Sequence, residues 1–152
     1  MAISRTLRRL LRIRDLEEEQ RRMALESALA GLSSLEQAHR FLRTREHVAR
    51  GLIASSIVQG DMDGRLAAIE EVYWANRRAE ALLPGIEAAE VEVGLRRQEF
   101  LAKRVERRQT ESLIDAASAR DAAAAEKRTQ QAVDDWYAMK LPRKGGGGGS
   151  ET

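Results

Sequence analysis

The chain has 152 residues, a third of them charged and only 4% aromatic, and its 26 basic residues nearly balance 24 acidic ones for a net charge of +2. Ala, Glu, Arg and Leu recur, β-branched residues are few, and there are two prolines and no cysteine. This excludes a disulfide framework and a thiolate metal site, and it argues against a compact core in favour of long helices joined along a narrow apolar seam. No apolar run approaches the roughly 20 residues that span a bilayer, and the Arg-rich start lacks the apolar stretch of a secretory signal. The expectation is a cytoplasmic protein.

In chain order, Ser4 is a candidate N-cap for a first helix over about 4–58. Leu25, Ala28, Leu32, Leu35, His39, Leu42, Glu46, Ala49 and Ile53 recur at alternating steps of three and four, the mark of a coiled-coil seam. Upstream, Leu7, Leu10, Leu11 and Leu16 widen the apolar face. A turn is expected over about 59–64, with Gly60 ending the first helix and Asp61 or Asp63 capping the second. Arg65 and Val72 stand where a calcium loop needs oxygen ligands, so that reading of the two aspartates fails.

The second helix is expected over about 65–139, with a seam through Ile69, Val72, Ala79, Leu83, Ile86, Val93 and Phe100. A register slip then carries the seam into Leu101, Val105, Leu113, Ala116 and Val133. Pro84 removes a helical hydrogen bond and clashes with the preceding turn, so a kink is expected there, with a full break as the alternative. The fold class is therefore all-α: a long antiparallel two-helix coiled-coil hairpin, its second helix kinked or broken near Pro84 and overhanging the first. Residues 142–152, with the run Gly145 to Gly149, read as a flexible tail. Glu17 and Arg21, Glu18 and Arg22, Glu36 and Arg40, Glu46 and Arg50, Glu92 and Arg96, and Glu99 and Lys103 sit at i,i+4, acid first, as on a solvated helix surface.

The residues offer little to catalysis. His39 and His47 are eight apart with no carboxylate placed to complete a zinc site, and no Gly-rich phosphate loop or sharply turned nucleophilic serine is present. The reading is a non-enzyme without cofactor, metal or small-molecule substrate. Two features suit partners. Arg5, Arg8, Arg9 and Arg12 precede any acid and fit an anionic surface; nucleic acid is the weaker choice, because acids follow at once and no aromatics are interleaved for stacking. Tyr73 with Trp74, and Trp136 with Tyr137, are adjacent pairs about 100° apart on a helix, so at least one of each pair is expected outside the seam.

The start Leu7-Arg8-Arg9-Leu10-Leu11-Arg12-Ile13-Arg14 leading into an acidic helix, the mid-chain hairpin and the Arg/Glu/Gln/Ala-rich second helix resemble the flagellar export stalk family, the FliJ-type proteins. Arg107-Arg108-Gln109-Thr110-Glu111 and Asp134-Asp135-Trp136-Tyr137 are similar to that family's distal helix, and Pro84 departs from its pattern. The resemblance implies a non-catalytic stalk of the flagellar type III export machinery, peripherally associated with the membrane. Its partners would be a hexameric export ATPase, the cytoplasmic domain of the membrane export gate, and export chaperones. Arg5, Arg8, Arg9 and Arg12 would face the ATPase ring, and Tyr73, Trp74 and Arg77 the gate. The alternatives are the virulence-secretion counterpart of this stalk, a generic coiled-coil scaffold, and a basic nucleic-acid-binding hairpin.

Overall fold

In the computed structural model, residues 5–141 are described, and they form two helices, α1 (Arg5–Gln59) and α2 (Met62–Lys140), packed against each other as an antiparallel hairpin. The candidate cap Ser4 and the Gly-rich tail lie outside the described residues. The described residues fall into two compact units, Ile13–Arg107 and a second in which residues 5–12 go with residues 108–141.

The turn is shorter than the sequence suggests, because only Gly60 and Asp61 separate the helices. Gly60 takes φ 70°, a left-handed conformation that costs a residue with a Cβ about 1–2 kcal/mol. The Asp61 amide donates back to the Ser56 carbonyl at 3.1 Å, six residues spanning one bond, as in a Schellman ending. Asp61 then serves the next helix: its Oδ1 accepts from the Gly64 amide at 3.0 Å, and its carbonyl accepts from the Arg65 amide. Met62, Asp63 and Gly64 thus form the first turn of α2 instead of a loop. Asp61→Ala is expected to lower stability by about 1 kcal/mol, measured by urea unfolding.

Between Ile13 and Arg107 the packing follows a strict alternation of three and four. On α1 the buried and half-buried positions include Arg14, Glu18, Arg21, Leu25, Ala28 and Leu32, and continue through Leu35, His39, Leu42, Glu46, Ala49, Ile53 and Ser56. Every seam position expected on α1 is therefore covered. His39 occupies its place with its Nε2 buried and without a hydrogen-bond partner.

On α2 the same spacing runs Ala68, Val72, Ala75, Ala79, Leu82, Ile86, Ala89 and Val93, then Arg96, Phe100, Lys103 and Arg107. Val72, Ala79, Ile86, Val93 and Phe100 fall in the seam as expected, whereas Ile69 and Leu83 are exposed. The register slip after Phe100 does not occur. Leu101, Val105, Leu113, Ala116 and Val133 are all exposed, and the seam continues in phase on the aliphatic stems of Lys103 and Arg107. Ala75 and Ala79 are the most completely covered residues, both at 0% exposure.

Pro84 does not break α2. The helix continues through it, and the proline is exposed, so the carbonyl of Glu80 that loses its partner is on the side open to water. One residue on, about 100° round the helix, a Cβ at Gly85 would stand 3.8 Å from Leu35 Cδ1, an ordinary packing distance between the helices.

Much of the charge expected to be solvated surface joins the helices. Arg14 reaches Glu106 at 2.5 Å, Arg21 reaches Glu99 at 3.2 Å, Lys103 reaches Glu17 at 3.6 Å, and Arg107 pairs with Glu18. Of the six i,i+4 pairs, Glu46 with Arg50 and Glu92 with Arg96 form, both at 2.7 Å. Glu18 turns instead to the facing helix, and Glu17 and Glu99 are shared between an arginine three residues away on their own helix and a partner across the seam. Apart from Glu18, at 16%, the members of these cross-helix pairs are about a quarter to under a half exposed, so the pairs set register more than they add stability.

Glu46 is a seam carboxylate with 8% exposure. It accepts from Arg50 at 2.7 Å and from Arg43 at 2.7 Å, which hold its pKa below the ordinary 4.5 against the opposing effect of desolvation. A hydrogen bond from Arg14 lowers Glu17 in the same way, with Lys103 assisting. A carboxyl depressed in the folded state contributes stability above its unfolded pKa and loses it as pH falls through the folded value. Thermal midpoints are therefore expected to hold steady above pH 4.5 and to fall below it. Glu46→Leu is expected to raise the neutral-pH midpoint by a few degrees and to flatten that acid limb, read by circular dichroism melts.

The other unit carries half-buried Leu7, Leu10 and Leu11 on α1 and a buried Thr110 with half-buried Ile114 and Ala117 on α2. From Ser118 to Leu141 every residue is exposed. Trp136 and Tyr137 stack edge to face, with centroids 5.0 Å apart at 82°, and Lys140 Nζ stands 4.1 Å from the Trp136 ring centre.

A cationic aromatic face on the hairpin

Val72 and Ala75 take the seam positions on this turn of α2, which leaves both Tyr73 and Trp74 pointing outward. They are 65% and 41% exposed. The two-residue turn fixes which part of α1 lies beside them. Arg45 meets Glu71 at 2.6 Å, and Arg43 donates to Asn76 Oδ1 at 2.8 Å, so Phe41 and Arg45 of α1 come level with Trp74.

The result is a layered cluster. The Arg45 guanidinium lies 4.6 Å from the Trp74 ring centre and 5.9 Å from that of Phe41. Arg78 covers Trp74 from within its own helix at 5.2 Å, and Arg77 stands 5.7 Å from Tyr73. Cation–π attraction of this kind contributes about 0.5–1 kcal/mol at an exposed site and holds both ring and guanidinium in one orientation. Beside the indole runs an apolar groove lined by Ala38, Phe41, Leu42, Trp74, Ala81 and Leu82, and a second groove continues past Phe41 to Val48, Ala49 and Leu52.

Chemically, the face offers flat apolar area for a partner's side chains and guanidinium edges for its carboxylates. Arg45 is partly neutralised by Glu71, whereas Arg77 and Arg78 form no ion pair among the described residues. Rigid aromatic rings framed by arginine are the side chains most often found at the energetic centre of a protein interface.

Of the residues singled out in the sequence, Tyr73, Trp74 and Arg77 are brought together here. Phe41, Arg45 and Arg78 join them and were missed: the signal for Arg78 was its i,i+4 spacing from Trp74, while Phe41 and Arg45 become neighbours only through the hairpin. Arg5, Arg8, Arg9 and Arg12 lie elsewhere, in the unit holding the start of α1. Their spacing places them on one side of the helix, all exposed and without an ion pair among the described residues.

Among the described residues, no group of three His, Asp or Glu side chains is placed to hold a metal ion, and no helix is long and apolar enough to cross a membrane. Fold and face together define an all-α helical hairpin that exposes a cationic aromatic face. No family model, curated protein or solved structure matches the chain.

Proposed function

We propose that this chain is a non-catalytic docking protein, a stalk of the type III export machinery of the flagellar kind, and that the Trp74 face is its contact with the membrane export gate. The observation that carries the docking role is the Trp74 ring, held between Arg45 and Arg78 on the outside of the hairpin at a position beside the seam and not in it. A ring kept rigid and partly uncovered suits association, since little side-chain entropy remains to be lost on binding. The stalk assignment rests on the resemblance of the arginine-rich start, the mid-chain hairpin and the second helix to the FliJ-type family.

On this reading Arg5, Arg8, Arg9 and Arg12 engage a hexameric export ATPase. A four-arginine helix face without internal partners has its charge available to an acidic surface, and such contacts weaken with added salt. The test is co-purification with the cytoplasmic domain of the gate and with the cognate ATPase. Charge reversal at the four arginines is expected to abolish ATPase capture while leaving gate capture intact. Unchanged ATPase binding would sink the ring assignment. Capture by a virulence-system ATPase in preference to the flagellar one would move the chain to the virulence counterpart.

A further inference from the structure

The face of α1 turned away from the seam carries a second repeat. Every position reached by alternating steps of three and four from Ile13 to Ser55 is exposed, and none is charged. In a chain that is one third charged, an exposed stripe of that length without a single charge is unexpected for a solvated surface. Its larger members, Ile13, Leu16, Met23, Phe41 and Val48, are 44–61% exposed. A helix with two heptad stripes on opposite faces has a second helix to meet.

The stripe is matched to itself. When two copies of α1 run antiparallel with the two-fold axis level with Leu32, Leu16 meets Val48 of the second copy and Met23 meets its Phe41. In the intervening layers Gln20 meets Thr44 and Ser27 meets Gln37, while the small residues Ala30 and Ser34 meet nearest the axis, so the large apolar residues face apolar ones and the larger polar residues face polar ones. The flanks agree. Glu26 comes beside Arg40 of the second copy and Glu19 beside its His47, while small residues crowd the axis, Gly31 against Gly31 and Ala24 against Ala38. Among the described residues neither Glu26 nor Arg40 forms a direct ion pair within the chain, Glu26 acting only at longer range on Arg22, so both can pair with a second copy.

We infer that the outer face of α1 is a self-association surface, on which a second copy of this chain docks antiparallel about a two-fold axis level with Leu32. The polar layers fix this register and keep the association reversible. Phe41 and Arg45 belong both to this surface and to the Trp74 face, so a copy docked on α1 occludes the proposed gate contact. Self-association through this stripe does not depend on the export role.

Sedimentation equilibrium of the full chain tests it. The expected result is a reversible dimer, weakened by about tenfold or more in Glu26→Arg and equally in Arg40→Glu, since each reversal sets two symmetry-related like-charge pairs face to face. The double variant Glu26→Arg/Arg40→Glu restores wild-type affinity, and unchanged helicity shows that every variant is folded. A chain that stays monomeric at hundreds of micromolar overturns the inference. So does a dimer indifferent to either single reversal, or one that both reversals weaken and the double variant does not restore.

Discussion

Ala79→Leu is expected to lower the stability of the hairpin by about 1–3 kcal/mol, the largest effect anticipated for a single apolar substitution in this chain. Ala79 and Ala75 are fully covered, whereas the bulkier seam residues retain some exposure. The Arg43–Asn76 and Arg45–Glu71 contacts place Ala75 level with the stretch from Leu42 to Glu46 on α1, and Ala79 one turn further on, towards His39. Small side chains there let the helices approach, and a leucine must push α1 outward or take a strained rotamer. Ala88→Leu makes the same chemical change on an exposed position of α2 and is expected to stay within about 0.5 kcal/mol of wild type. Urea unfolding of the two variants side by side separates seam packing from helix propensity.

The second large effect is expected at Trp74. Trp74→Ala removes the ring that Arg45 and Arg78 share, and with it the wall of the apolar groove. A central aromatic at an interface costs about 2 kcal/mol or more on truncation, which corresponds to about a 30-fold weaker complex with the gate domain. The loss should appear mainly in the dissociation rate, measured by surface plasmon resonance. Because Trp74 sits outside the seam positions, the melting midpoint is expected to fall by only a few degrees, reflecting the lost contacts with Arg45 and Arg78. Arg78→Ala, which leaves the ring but frees it to rotate, should give a smaller loss of the same kind. Equal affinity for Trp74→Ala and wild type would contradict the assignment of this face.

The seam of α1 is legible in the sequence because Leu25, Leu32, Leu35, Leu42 and Ile53 fill it with large apolar residues, whereas the opposite stripe of that helix alternates apolar residues with Gln, Ser and Thr. On α2 the sequence holds two overlapping stripes, and the outer one, through Val91, Leu95, Val105 and Ala116, is as apolar as the inner. Beyond Phe100 the inner stripe carries Lys103 and Arg107, so hydrophobicity alone points to the wrong face and suggests a slip. A helix cannot change phase without distortion, and long charged side chains can cover a seam with their stems; those two facts decide the matter.

The ion pairs show the same limit. Spacing within one helix identifies Glu46 with Arg50, but Glu17 and Glu18 have possible partners on both helices, and only the length of the turn selects between them. The position of the turn at Gly60 is legible and its length is not, because either Asp61 or Asp63 could cap the second helix and Gly64 argues against helix there, and only the Asp61–Gly64 bond selects the earlier start. Tyr73 and Trp74 can be read as exposed from their adjacency. Their company on α1 follows from the register of the two helices, which depends on that same turn length.

The claim that this hairpin serves as an export stalk is tested most directly by the ATP hydrolysis rate of the cognate export ATPase titrated with the chain. The rate is expected to rise with added wild-type chain. No rise is expected with the variant carrying Glu in place of Arg5, Arg8, Arg9 and Arg12, whose helicity should match wild type. A rate indifferent to the wild-type chain, or raised equally by the charge-reversed one, would contradict the stalk role.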